Sequence, residues 1–298
     1  MELVATLIAA PDGVRLTEGT AARVRGAFEQ AGAEAGAPAW LAEGIACEFV
    51  FRGLALDAAR AIAREAPGGA AFDLVVQPNG DRRKRLLIAD MDATIVSGET
   101  LDELAAHAGL KDRVAEITAR AMRGDIDFKG ALRERVGMLR GLPTEALAKT
   151  LGAISLTPGA RTLVQTMRAH GAHTVLVSGG FRFFTRHVAA QAGFHEELAN
   201  ELVVEHGRLT GEIAEPILDR EAKLQALHRC AAEHDIPLSA TLAAGDGAND
   251  LPLILAAGLG VAFHAKPVVA AAAPAAVNHG DLTALLYIQG YARREFTG

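Results

Sequence analysis

Apolar runs divided by polar, glycine-bearing breaks set the outline of this chain. Residues 86–89, Leu-Leu-Ile-Ala, are continuously apolar and too few for a helix, the pattern of a strand buried on both faces; the run stops at Asp90 and Asp92. The form recurs at residues 174–177, ahead of Ser178-Gly179-Gly180, and at 242–245, ahead of Asp246, Asn249 and Asp250. From residue 97 to about 150 the spacing is helical instead, with Leu101, Leu104 and Ala105 on one face and Val114 and Ile117 on another. A helix is expected near 183–192, and two strand-like runs around His206-Gly207 predict a short hairpin. Strands alternating with helices predict an α/β fold, a mostly parallel sheet covered on both faces.

Residues 1–80 carry a different rhythm: strand 3–9, helix 20–31, a strand near Trp40, strand 47–52, helix 56–64 and strand 72–77. This predicts a small α+β domain ahead of a larger one over 81–298, with a helical insertion at about 97–150. The polar run from Pro78 to Arg85 marks the boundary; its Asn79-Gly80 turn and the cluster Arg82, Arg83, Lys84, Arg85 predict a solvated linker.

Composition narrows the classes. A formal net charge of -6 argues against general binding to nucleic acid. No apolar stretch is long enough to span a bilayer, and the first ten residues lack the basic start of a secretory signal, so no membrane partner is expected. Cys47 and Cys230 fall in different domains, with neither metal-ligand spacing nor a disulfide framework, which points to the reducing cytoplasm. His107, His187 and His264 are expected to be structural or exposed.

The chemistry gathers at the strand ends. Alternate residues of an extended segment share a face, so Asp90 and Asp92 can enter one site at the C-terminal end of their strand, where open α/β sheets hold ligands. Such carboxylates suit Mg²⁺, a hard cation; two solvated acids capping a strand are the plainer alternative. Ser178 and the amides of Gly179 and Gly180 can approach an anion closely, or simply make a turn. Lys223, taken alone, is an ordinary surface lysine. The loop with Asp246, Asn249 and Asp250 can aim carboxylates at a metal or form an Asx turn.

In this order, DMDATIVSGETLDELA, DFKGALRERVGMLRGLP, VSGGF, Lys223, GDGANDLPLI and AFHAKP resemble the haloacid-dehalogenase-like (HAD) superfamily of phosphohydrolases and, within it, the phosphoserine phosphatase family. The resemblance runs from Asp90 to about Ile288 and departs at Ala93, where the family usually has Ser. It implies a Rossmann-like core with a helical cap, and hydrolysis of O-phospho-L-serine as the last step of serine biosynthesis. Asp90 is implied as the nucleophile that forms an aspartyl-phosphate and Asp92 as the acid and base. Mg²⁺ would be held by Asp90, the backbone carbonyl of Asp92, and Asp246, with Asp250 orienting a metal water. Ser178, Gly179, Lys223 and Asn249 would bind the phosphoryl group. In the cap, Glu99 is implied for the substrate ammonium and Arg135 for its carboxylate, with Met122 and Phe128 lining the pocket. Residues 1–80 resemble ACT-like regulatory domains, which implies amino-acid binding or a homodimer formed through this domain; a purely packing domain is the alternative. The same core would also serve a phosphatase for another ester, a phosphotransferase, or a silent sensor.

Overall fold

The computed structural model describes residues 1–122 and 125–298, and the side chains of residues 119, 121 and 122 lie outside that description. Strand β1 (Leu3–Ala9) is buried at every position, because its two faces serve different cores. Leu3, Ala5, Leu7 and Ala9 pack under the helices of the first domain, whereas Ile8 joins the core of the second. Helix α1 (Glu18–Gln30) begins two residues before the periodicity indicates: the Thr17 side chain accepts the Thr20 N–H at 3.1 Å and sets the N-terminus. The domain continues through β2 (Glu34–Ala35), β3 (Ala39–Ala42), β4 (Ala46–Arg52), α2 (Leu56–Glu65) and β5 (Phe72–Pro78). Its antiparallel sheet runs β2-β4-β1-β5, with β3 on β4. Phe28 of α1 meets Phe49 and Phe51 edge-on, centroids 5.4 and 4.9 Å away, and anchors this core.

The second domain opens with β6 (Leu86–Asp90) and then four helices, α3 (Thr100–His107), α4 (Lys111–Met122), α5 (Phe128–Gly137) and α6 (Glu145–Ala153). The chain returns through α7 (Ala160–Ala169), β7 (His173–Phe181), α8 (Arg182–Ala192), β8 (Glu196–Asn200), the hairpin β9 (Leu202–Glu205) and β10 (Arg208–Ile213), and α9 (Arg220–Glu233). It closes with β11 (Thr241–Gly245), α10 (Leu251–Ala256), β12 (Leu259–Phe263), α11 (Pro267–Ala272), β13 (Ala275–Val277) and α12 (Ala284–Ile288). Six strands form one parallel sheet in the order β13-β12-β11-β6-β7-β8. The hairpin turns at His206 (φ 50) and Gly207 (φ 73), the two left-handed residues that a two-residue connection requires.

The four-helix cap enters and leaves at one point, where Val96 bridges Leu156 and the Ser97 and Ser155 hydroxyls lie 2.8 Å apart. The hairpin braces it from outside: the Gly141 amide donates to Leu209, the Leu209 amide to Leu142 and the Thr144 amide to Gly207. Among the described residues, no helix is long and apolar enough to cross a membrane.

The basic run 82–85 is not a solvated linker. Lys84 is buried, donating to the carbonyls of Asp81 (3.0 Å) and Ser239 (2.8 Å), and burial lowers its pKa. Arg82 pairs bidentately with Glu48 (2.7 and 3.0 Å), and Arg83 lies 4.1 Å above the Tyr291 ring while pairing with Glu295. Nearby, Asp73 of β5 accepts backbone N–H bonds from Asn278, His279 and Gly280. The two domains are therefore joined by a network of charge-assisted bonds; periodicity is blind to it because each partner is distant in sequence.

Candidate active site

Three neighbouring strands deliver the site. Asp90 and Asp92 both keep extended backbone, and the tight turn after them uses Ala93 at φ 51. On one side β11 pairs with β6 and presents the loop of Asp246, Asn249 and Asp250; on the other, β7 presents Ser178 and Gly179. Gly245 is required here, since a Cβ at that position would lie 2.5 Å from the Asp250 side chain. Lys223 stands in the first turn of α9, whose N-terminus is capped by Asp219.

These elements bring Lys223 Nζ within 2.7 Å of Asp90 Oδ1 and 2.6 Å of Asp250 Oδ1, all three residues buried. The solvated lysine that residue type alone suggests is instead the ammonium at the centre of the site. Asp250 Oδ2 also accepts the Gly247 N–H at 3.1 Å. Burial, then the Asp250 charge, pushes the Asp90 carboxyl up, with Lys223 pulling the other way. Burial and Asp250 likewise raise Asp246. Burial opposes the Lys223 charge, yet Asp90 and Asp250 outweigh it and hold its pKa above the ordinary value.

One oxygen each from Asp90, Asp246 and Asp250 lies within 4.8 Å of the others. Three carboxylates around one ammonium leave net negative charge in an enclosed site. An all-oxygen donor set with excess negative charge fits a hard divalent cation.

Asp92 sits differently. Its Oδ1 accepts the Thr100 N–H at 2.8 Å and its Oδ2 the Ser178 hydroxyl at 3.2 Å, while the Gly180 N–H donates to Ser178 Oγ at 2.8 Å. Burial raises the Asp92 carboxyl; the Thr100 and Ser178 bonds temper that rise without cancelling it. Asn200 fixes the Gly179 carbonyl by donating to it at 2.8 Å.

A cavity of about 200 Å³ opens over these groups, with Asp90, Lys223 and Asp246 on its floor and Glu99, Phe128 and Arg135 on its cap side. Gly179 and Asn249 also line it; Ser178 stands behind, bonded to Asp92. Burial, then the charges of Asp92, Asp246 and Asp102, pushes the Glu99 carboxyl up to about 7. The half-buried Arg135 makes no ion pair with the described residues, and burial lowers its pKa against the pull of Asp102 and Glu99. The Met122 side chain lies outside the described residues.

Sequence reasoning missed Thr100, whose backbone amide holds Asp92, and Lys266, which lines the same cavity and offsets the charges of Glu99 and Asp246. Thr100 opens a helix at the cap's entry, a position the periodicity already marked. Lys266 falls inside the AFHAKP stretch of the resemblance, but no role was attached to it there.

Fold and site together define a class, a phosphohydrolase-type core with a lid. Residues 87–254 match the haloacid dehalogenase-like hydrolases, and the chain belongs to that family. Two curated relatives narrow it further. A phosphoserine phosphatase of Streptomyces coelicolor is 45% identical over 253 residues, covering 84% of this chain and 62% of the relative. Another, of Streptococcus thermophilus, is 44% identical over 205 residues, covering 69% of this chain and 95% of the relative. The crystal structure of a probable phosphoserine phosphatase from Vibrio cholerae matches with a TM-score of 0.77 at 29% identity, covering 99% of this chain and 88% of that one. Within the hydrolases the chain falls with the phosphoserine phosphatases, although it spans less than two-thirds of the Streptomyces coelicolor relative's length.

Proposed function

We propose that this enzyme hydrolyses O-phospho-L-serine to serine and phosphate through an aspartyl-phosphate on Asp90. The observation that carries the reading is one cavity with two opposed ends. Asp90 and Lys223 lie on the floor, and a carboxylate, Glu99, and a guanidinium, Arg135, stand on the cap side. Phosphoserine presents a phosphate, an ammonium and a carboxylate, which these groups complement in charge and geometry.

Asp90 attacks phosphorus in line as the bond to the seryl oxygen breaks, and Asp92 gives its proton to that departing oxygen. The raised proton affinity of Asp92 suits it to this task. Asp92 then takes a proton from the water that attacks the aspartyl-phosphate, releasing phosphate and restoring Asp90. Lys223, held by Asp250, neutralises phosphoryl charge together with the Gly179 amide, Asn249, and the Ser178 hydroxyl turned from Asp92. Asp90, Asp246 and the Asp92 carbonyl, with Asp250 alongside, would hold Mg²⁺, which would supply further charge neutralisation and keep Asp90 ionised. Phe128 and Met122 complete the lid wall.

The reading extends to the final step of serine biosynthesis in the cytoplasm. It also divides the chain into an ACT-like domain over 1–80, through which a homodimer forms, and a catalytic domain over 81–298.

Phosphate release with Mg²⁺, comparing L-phosphoserine with phosphoethanolamine and phosphoglycolate, tests it. Strong preference for phosphoserine, abolished in Asp90→Asn, is expected. Preference for another ester overturns the assignment of Glu99 and Arg135, and no Asp90-dependent release from any ester overturns the mechanism.

A further inference from the structure

At the opposite end of the parallel sheet, three elements bring a second group of ligating side chains together. His173 begins β7, Glu196 begins β8 and His234 follows the last turn of α9. His173 Nε2 lies 2.6 Å from Glu196 Oε1, and His234 Nε2 lies 3.8 Å from the same oxygen. The two imidazoles are stacked, centroids 3.9 Å apart, and His195 packs on the other ring neighbour at 4.8 Å from His173. One donor atom from each of His173, Glu196 and His234 falls within 4.8 Å of the other two.

We propose that His173, Glu196 and His234 form a surface site for a zinc-like transition-metal ion, separate from the acidic site above Asp90. The donor set decides the class of ion. Two imidazoles with one carboxylate suit Zn²⁺ and its neighbours, whereas Mg²⁺ prefers oxygen ligands, as in the acidic cluster. Tetrahedral Zn²⁺ with bonds near 2.0–2.1 Å needs donor atoms about 3.3 Å apart, so the 2.6 Å His173–Glu196 pair must open slightly, the 3.8 Å His234–Glu196 pair must close slightly, and the ring planes must splay. The surroundings permit this: His234 is 38% exposed and Glu196 34%, so both side chains can turn. Arg229 is the competing cation, but it holds Glu196 only at 3.4 Å and has Glu233 at 2.5 Å as its nearer partner. A fourth position is left to water.

Such an ion ties the end of α9 to the starts of β7 and β8. The same helix and strand carry Lys223 and Ser178 toward the sheet's other end, so the ion acts as a staple on the elements that frame the active site, not as a participant in it.

The test is titration of the full chain with ZnCl₂ in excess MgCl₂, by calorimetry and by thermal unfolding, with Co²⁺ absorption to report coordination. We expect one Zn²⁺ per chain, a Tm rise of roughly 5 °C at a hundredfold excess over Kd, and a tetrahedral Co²⁺ spectrum. His234→Ala, at a half-exposed helix end, should weaken binding at least tenfold (order of magnitude for a lost ligand) with an unchanged Tm in metal-free buffer, and Asp246→Asn should leave binding intact. Absence of Zn²⁺ binding, binding indifferent to both His234→Ala and His173→Ala, or binding lost only in Asp246→Asn overturns the proposal.

Discussion

Lys223 is clamped between Asp90 at 2.7 Å and Asp250 at 2.6 Å, so the ammonium beside Asp90 is held in place by a second carboxylate. Burying such a triad is costly unless every member is paired, and removing one member leaves another uncompensated. Lys223→Ala should therefore unfold about 3–5 kcal/mol more easily in denaturant as well as being inactive. Asp250→Asn, which keeps the shape but frees the ammonium to settle on Asp90, should lower kcat roughly 10–100-fold. Unchanged kcat in Asp250→Asn would show that the clamp has no catalytic consequence.

Arg135 lines the cavity and carries no ion-pair partner of its own among the described residues, which under the proposed function leaves its guanidinium for the substrate carboxylate. Arg135→Ala should reduce kcat/KM for phosphoserine roughly 100-fold and hardly affect an ester without a carboxylate, such as phosphoethanolamine. Equal losses on both esters would assign Arg135 to the fold or to the phosphoryl group.

With its carboxyl raised to about 7, Glu99 is largely neutral in mildly acidic solution and cannot pair with an ammonium. Activity on phosphoserine should therefore fall as pH drops through about 7, and Glu99→Gln, though weaker throughout, should lose this dependence relative to the wild type. Stability moves the other way. Because the folded carboxyl titrates above its ordinary 4.5, the folded state holds the extra proton between about 4.5 and 7 and is destabilised as pH rises through that window. Without added metal, Glu99→Gln should gain on the wild type from pH 5 to 8, by no more than about 1 kcal/mol, because Glu99 faces the cavity on one side but keeps the other open to water, which screens it. Parallel pH profiles for the two proteins would refute the assignment.

Chelation should abolish phosphate release, with Mg²⁺ restoring it, since three carboxylates face one ammonium on the cavity floor. Because the Asp90 and Asp246 carboxyls are raised without the ion, the metal-free protein should also take up protons there, and Mg²⁺ addition should release them. Activity that survives exhaustive chelation would remove the ion from the scheme.

Asp73 accepts three backbone N–H groups across the domain joint. Asp73→Ala leaves buried amides unpaired and should cost about 2–4 kcal/mol, seen as a lower Tm, with KM for phosphoserine little changed. A mutant as stable as the wild type would mean that water satisfies those amides equally well.

Much of this was legible along the chain because it is written locally. Apolar runs such as 86–89 end at a polar break, the 97–150 insertion keeps a helical period, and His206-Gly207 announces its turn. Of the residues expected at neighbouring strand ends, Asp90 closes β6 and Asp246 follows β11, while Ser178 lies within β7. What escaped depends on partners far away in sequence. Lys223 reads as a surface residue until two strands supply Asp90 and Asp250; Lys84 reads as linker until Ser239 arrives, 155 positions later. The hydrogen bond from the Ser178 hydroxyl to Asp92 is likewise a contact no spacing reveals.

The Thr100 N–H that orients Asp92 comes from the lid, and the residue immediately before it is Glu99. Under the proposed function, recognition of an ammonium and orientation of the proton donor are thus one peptide unit apart. The Thr100 N–H rests on Asp92 at 2.8 Å, so a change in the cap backbone at Glu99 would be felt at Asp92 as well. Selectivity in such an arrangement would be expressed as turnover as much as affinity.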